Sequence, residues 1–120
     1  MTKDELILRL RKFAVRIIKM VDEMPNTISS NAIARQVVRS GISPSANYRA
    51  ACVGKSEKDF INKLKIVQEE LDETSNWLEI IVEAGIMKAE RMKLIREECD
   101  ELYKIIVSSI MTMKNRLDPK

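Results

Sequence analysis

Leu6, Leu10, Phe13, Ile17, Val21 and Met24 recur at steps of four and three, which lays one apolar stripe along a 3.6-residue helix. Thr2-Lys3-Asp4-Glu5 ahead of the stripe fits a capping box. Pro25 closes it, because the residue before a proline is pushed out of helical geometry. A first helix is predicted at about residues 3–24. A second opens at Ser29 or Ser30, either of which can cap it, and runs to about residue 53. Gly41 and Pro44 predict that it bends or splits there. Ser40, Gly41, Ser43, Ser45, Ala46, Ala50 and Ala51 crowd its middle with small side chains that let another helix come close, and Gly54 ends it.

The third segment has the cleanest period. After the capping sequence Ser56-Glu57-Lys58-Asp59, residues Phe60, Leu64, Val67, Leu71, Thr74, Leu78 and Ile81 keep a strict alternation of four and three, a coiled-coil-like seam. Gly85 stops it, so a helix at about residues 57–84 stands on the order of 40 Å tall. The fourth, at about residues 88–114, places Met92, Ile95, Cys99, Leu102, Ile106, Ser109 and Met113 on one face. The tail Leu117-Asp118-Pro119-Lys120 is expected to fray. Four long helices with short connections predict an all-α, antiparallel up-down-up-down four-helix bundle, with residues 1–120 as a single domain.

Composition narrows the chemistry. The 120 residues include no His, which removes the commonest general base and metal ligand together. Aromatic residues at 4%, with three Gly and three Pro, argue against a sandwich or barrel. Cys52 and Cys99 read as small reduced hydrophobes rather than staples, and two cysteines alone do not make a metal site. The run Glu69-Glu70-x-Asp72-Glu73 suggests a di-metal bundle only until the missing Glu-x-x-His is noticed. No Gly-rich phosphate loop and no nucleophile–base pair is present, so no cofactor and no enzymatic activity are expected. Without an apolar leader or a spanning run, the chain is expected to be cytoplasmic, with no membrane partner.

Charge is unevenly spread. Residues 1–55 hold ten Lys+Arg against four Asp+Glu, for +6, and residues 56–120 hold eleven against fourteen, for −3. Such halves suit self-complementary packing or a polyanion-facing surface. Arg9, Lys12, Arg16 and Lys19 form a stripe about a third of a turn from the apolar one, and with Arg35 they are the candidate nucleic-acid-binding set. Ile33-Ala34-Arg35 followed by Gly41-Ile42-Ser43-Pro44 looks like a tetracycline-repressor-type helix-turn-helix. There, however, Gly41 falls seven residues beyond Ala34, a full turn too late to put the second helix in register.

One polar stripe stands where a simple bundle would place aliphatics: Gln36, Arg39 with Ser40, Ser43 and Asn47. In an antiparallel hairpin turning near Lys55, facing positions have numbers that add to about 110. Arg39 then meets Glu70 and Glu73, Asn47 meets Lys63, and Ser43 meets Val67. The expectation is a buried network of Gln36, Arg39, Ser43, Asn47, Lys63, Glu70 and Glu73 that sets the register of the central helices. A polar channel lining in an oligomer is the alternative. Catalysis fits less well, since carboxylates beside an arginine are held ionised rather than tuned near neutrality.

Several of these residues also carry a family resemblance. Gln36-Val37-Val38-Arg39-Ser40, Ser43-Pro44-Ser45-Ala46-Asn47-Tyr48-Arg49-Ala50, Lys63, Glu69-Glu70-x-Asp72-Glu73 and Trp77-Leu78 resemble the four helix bundle protein family, also called 23S rRNA intervening-sequence proteins. Phe13-Ala14, Pro25 and Gly85-Ile86 fit the same pattern, whereas Ala50-Ala51 stands where many members carry Glu-Gly. The resemblance implies a homopentamer of four-helix protomers around a central pore, with no established activity. A related branch, the accessory proteins of diversity-generating retroelements, is similar in fold and binds nucleic acid through a basic surface. Two expectations follow. One is a non-enzymatic homo-oligomer that covers the small residues of the second helix and an apolar face at Trp77 and Ile80. The other is an RNA- or DNA-binding accessory protein.

Overall fold

Short hydroxyl side chains start three of the four helices, because their oxygens can accept the first unpaired backbone N–H groups. Thr2 Oγ1 accepts from Glu5 N at 3.1 Å and opens α1 (Lys3–Asp22). Thr27 Oγ1 accepts from Ser30 N at 3.2 Å and opens α2 (Ile28–Cys52), and Ser56 Oγ accepts from Asp59 N at 3.1 Å and opens α3 (Glu57–Glu83). α4 (Ala89–Leu117) starts after Lys88, which offers no capping bond. The computed structural model describes residues 1–118. Among them, only the hydroxyl half of each capping box is formed.

The boundaries correct the sequence expectation in three places. α2 begins earlier than Ser29 or Ser30 because Thr27 takes the cap, and Ser30 is buried inside the first turn instead. α1 ends at Asp22, and Glu23 and Met24 close it with bonds to Met20 O, Val21 O and Val21 O respectively. α4 runs three residues beyond Lys114, where Arg116 pairs with Glu57 of α3 at 2.9 Å. The expected frayed tail therefore starts as helix at Leu117 and a cap at Asp118, while Pro119 and Lys120 lie outside the described residues.

Side-chain pairings between helices run in opposite directions along the chain. Arg9 meets Glu98 and Glu23 meets Arg91 across α1 and α4. Gln68 meets Tyr103, Leu71 O meets Cys99, and Glu57 meets Arg116 across α3 and α4. Each helix packs against two neighbours, in the order α1–α2–α3–α4 and back to α1, while the diagonal backbones stay apart. That leaves every helix one face toward the core and one turned away from it. The result is an all-helical four-helix bundle, 50 Å along its axis and 23 by 22 Å across.

The core follows the stripes. Leu64, Val67, Leu71, Thr74, Leu78 and Ile81 of α3 are completely buried, and so are Leu10 and Ile17 of α1 and Cys99, Leu102 and Ile106 of α4. Phe60, Val21, Met24, Ser109 and Met113 lie toward the bundle ends and are half-buried, and Met20, Ile61 and Ile110 are buried in their vicinity. α2 contributes differently. It stays one continuous helix through Pro44, and at Gly41 an added Cβ would stand 2.8 Å from Ile17 Cγ1. The glycine is what admits α1 at that distance. α3 ends in a Schellman motif: Gly85 has φ +73°, Gly85 N bonds Val82 O at 3.0 Å, and Ile86 N bonds Ile81 O at 3.0 Å. Gly54 has no such left-handed turn; its Cα approaches Asp59, where an added Cβ would clash with Oδ2.

Candidate functional site

Arg39 projects from α2 across the hairpin and closes on two acids one turn apart on α3. Its Nη1 donates to Glu70 Oε2 at 2.9 Å and its Nη2 donates to Glu73 Oε2. Trp77 Nε1–H donates to the same Glu73 oxygen at 3.1 Å. The indole N–H first, and the guanidinium second, hold the Glu73 carboxyl below the usual carboxylate range. The two acids in turn push the Arg39 pKa upward, Glu73 more than Glu70. An acid kept ionised in this way is a clamp, not a proton shuttle.

Beneath the clamp lies a buried hydroxyl pair. Thr74 Oγ1 approaches Ser40 Oγ at 2.8 Å and Glu70 O at 2.8 Å, and Ser40 Oγ also reaches Val37 O at 3.4 Å. Further in, Cys99 Sγ–H donates to Leu71 O at 3.4 Å, and burial pushes this thiol up to about 12, so it stays protonated. These contacts tie α2 to α3 and α3 to α4 at one level of the bundle.

The structure brings together only part of the expected network. Arg39, Glu70 and Glu73 meet as their spacing predicts, but at the surface rather than buried, since half of the Arg39 side chain is exposed. Asn47 turns back along its own helix, with Nδ2 donating to Ser43 O at 3.1 Å and Ser43 Oγ at 2.8 Å, in place of the expected meeting with Lys63. A side-chain amide with a carbonyl and a hydroxyl one turn back takes the local bonds first. Gln36 is exposed and Lys63 half-buried, and neither joins the clamp among the described residues. Trp77 is the member that spacing alone did not assign; its indole, four residues after Glu73, was the available signal.

The candidate basic face also divides. Arg9 is held by Glu98 in a two-pronged pair, Nε to Oε2 at 2.8 Å and Nη2 to Oε1 at 2.8 Å, on the α4 side of α1. Lys12, Arg16 and Lys19 are exposed and have no ion pair among the described residues. Arg16 and Lys19 rim a groove of about 260 Å³ with the paired Glu23 and Arg91, over a floor that includes Met20, Met92 and Ile95. Arg35 belongs to another surface, since α2 meets α1 through Gly41 and Ile17, on a different side of α1 from Arg9.

The faces turned away from the core differ more than the sequence stripes suggested. On α2 the exposed positions Ile28, Ala32, Arg35, Arg39, Ile42, Ala46 and Arg49, continued by Val53 at its C-cap, follow one another at four and three. The corresponding row on α1 is Asp4, Leu8, Arg11, Val15, Ile18 and Asp22, again all exposed. On α3 it is Lys58, Asn62, Lys65, Glu69, Asp72, Asn76, Glu79 and Glu83, with no apolar member. α4 mixes Glu90, Glu97 and Glu101 with Leu94 and Met111.

The fold defines the class, an all-helical four-helix bundle, and in this chain Arg39, Glu70, Glu73 and Trp77 clamp its central hairpin. Residues 4–108 match the 23S rRNA-intervening sequence protein family, and the chain belongs to that family. It is also similar to a crystal structure of a protein of unknown function from the S23 ribosomal protein family of Bacteroides thetaiotaomicron VPI-5482. The two are 32% identical with a TM-score of 0.86, over 92% of this chain and 99% of that one. No curated protein matches the sequence. Among the described residues, no group of His, Cys, Asp and Glu is placed to hold a metal ion, and no helix is long and apolar enough to cross a membrane.

Proposed function

We propose that the chain is a non-enzymatic, self-associating interaction protein, a homopentamer as the family resemblance implies, in a reducing cytoplasm that suits its two free thiols. The supporting observation is the exposed side of α2. Over 25 residues this helix contains no Lys, Asp or Glu, and its only charges are Arg35, Arg39 and Arg49. Ile28 is 94% exposed and Val53 84%, with Ile42 between them. Interfaces favour arginine and apolar side chains over lysine and acids, whereas a helix facing water shows the reverse. Light scattering on the purified chain tests the reading. A mass several times that of the 13.8 kDa protomer is expected at micromolar concentration. A protomer mass there refutes it.

A second reading rests on Lys12, Arg16 and Lys19, three exposed cations on one side of α1 without acidic partners among the described residues. They suit the phosphate backbone of a structured RNA, with Arg9 left out because Glu98 holds it. The expected result is RNA affinity that declines steeply with salt and is lost when all three become Gln. Affinity unchanged by the triple substitution removes this reading.

A further inference from the structure

We infer that the outward face of α2 is covered by the outward face of α1 from a second copy of this chain, so that the copies join head to tail. This rests on the self-association proposed above and names its surface.

Four outward rows were available, and their chemistry selects two. The α3 row is polar throughout, with Ile66 the exposed apolar residue beside it. The α4 row has two apolar residues in eight positions, whereas three of the six α1 positions and five of the eight α2 positions are apolar. The α1 row carries Leu8, Val15 and Ile18 at 43–45% exposure, on the side of α1 opposite its buried stripe. Each of the α1 and α2 rows keeps a seven-residue repeat, the geometry that lets two helices stay in contact along their length.

Charge then decides which row meets which. Arg35 and Arg49 form no ion pair among the described residues, and they bracket Ile42 and Ala46. They are 14 positions apart, about 21 Å along the helix. Asp4 and Asp22 bracket Leu8, Arg11, Val15 and Ile18 of the α1 row, 18 positions and about 27 Å apart, a difference that two arginine side chains can span. They too form no ion pair among the described residues. Leu8, Val15 and Ile18 then meet Ile42 and Ala46, each acid meets an arginine, and Arg11 and Arg39 are the cations that remain inside the contact. An α2-to-α2 contact would instead oppose like charges at both ends. Two unlike faces on one protomer make a heterologous contact, the kind that builds rings rather than closed dimers.

Two surface variants test this by sedimentation velocity, with circular dichroism confirming that each keeps its helices. Val15→Glu/Ile18→Glu blocks the α1 face, and Arg35→Glu/Ile42→Glu blocks the α2 face. Each alone is expected to fall from the oligomer to a single protomer. Mixed in equal amounts, they are expected to form a species of two protomers, because one intact face of each kind remains. A wild-type chain that is itself monomeric defeats the self-association reading. An oligomeric wild type whose variants keep its mass, or whose mixture stays monomeric, defeats the pairing of α1 with α2 alone.

Discussion

α2 and α3 are the arms of one hairpin, 25 and 27 residues long, yet they divide the work of the fold unequally. α3 buries an aliphatic seam interrupted at Thr74 and, apart from Ile66, turns polar and charged side chains outward. α2 buries two large side chains, Val37 and Tyr48, alongside the small or short Ser30, Ser40, Gly41, Pro44 and Ala51, and turns isoleucine, alanine and arginine outward. The contrast separates two kinds of packing. The α3 seam is held by burial of large side chains. α2 adds to Val37 and Tyr48 a close approach at Gly41 and the Arg39 clamp, and its remaining apolar surface is the one proposed to meet another chain.

The largest effect is expected on the α3 side. Leu71 is completely buried, so Leu71→Ala leaves a cavity and costs about 2–5 kcal/mol in a urea unfolding experiment. On the α2 side the damage comes from adding volume. Gly41→Ala gains helix propensity of about 1 kcal/mol. Its Cβ nevertheless crowds Ile17, and overpacking costs about 1–3 kcal/mol, so a net loss is expected. Gly41→Ala should cost less beside Ile17→Ala, which removes both crowded γ carbons, than in the wild type, and strict additivity in this double-mutant cycle would disconnect the two sites.

The clamp between the arms has its own signature in pH. Glu73 is lowered by Trp77 and Arg39, so its contribution is complete above the ordinary carboxylate range and disappears as pH falls through its folded value. Glu73→Gln should therefore destabilise the protein at neutral pH, and the difference from wild type should shrink in acid. A difference that grows on acidification contradicts the assignment. The smallest effect belongs to the α3 outward row: Glu69→Gln with Glu79→Gln should change stability by no more than about 0.5 kcal/mol and leave the mass unchanged.

Much of this was readable from spacing because it is local or nearly so. The α3 seam, the Ser56 cap and the Gly85 stop each depend on residues within a few turns. Arg39 with Glu70 and Glu73 was readable too, since a short hairpin fixes which positions face each other. Depth was not: position in the hairpin placed the clamp, while its surface exposure depends on where α2 sits relative to the axis. Thr27, Ser29 and Ser30 are equivalent caps by residue type, and only the geometry of the turn from Pro25 chooses Thr27. Arg9 with Glu98 and Glu57 with Arg116 join residues 89 and 59 positions apart, beyond the reach of any periodicity. Those long-range pairs took Arg9 out of the basic face and carried α4 past Lys114.

The central claim is that the outward face of α2, unlike that of α3, is covered in the working protein. Sedimentation equilibrium on Ile42→Glu and on Asn76→Glu, a matched charge on each arm, tests it most directly. The account predicts a single protomer for the first and the full wild-type assembly for the second. Equal masses for the two variants would contradict it.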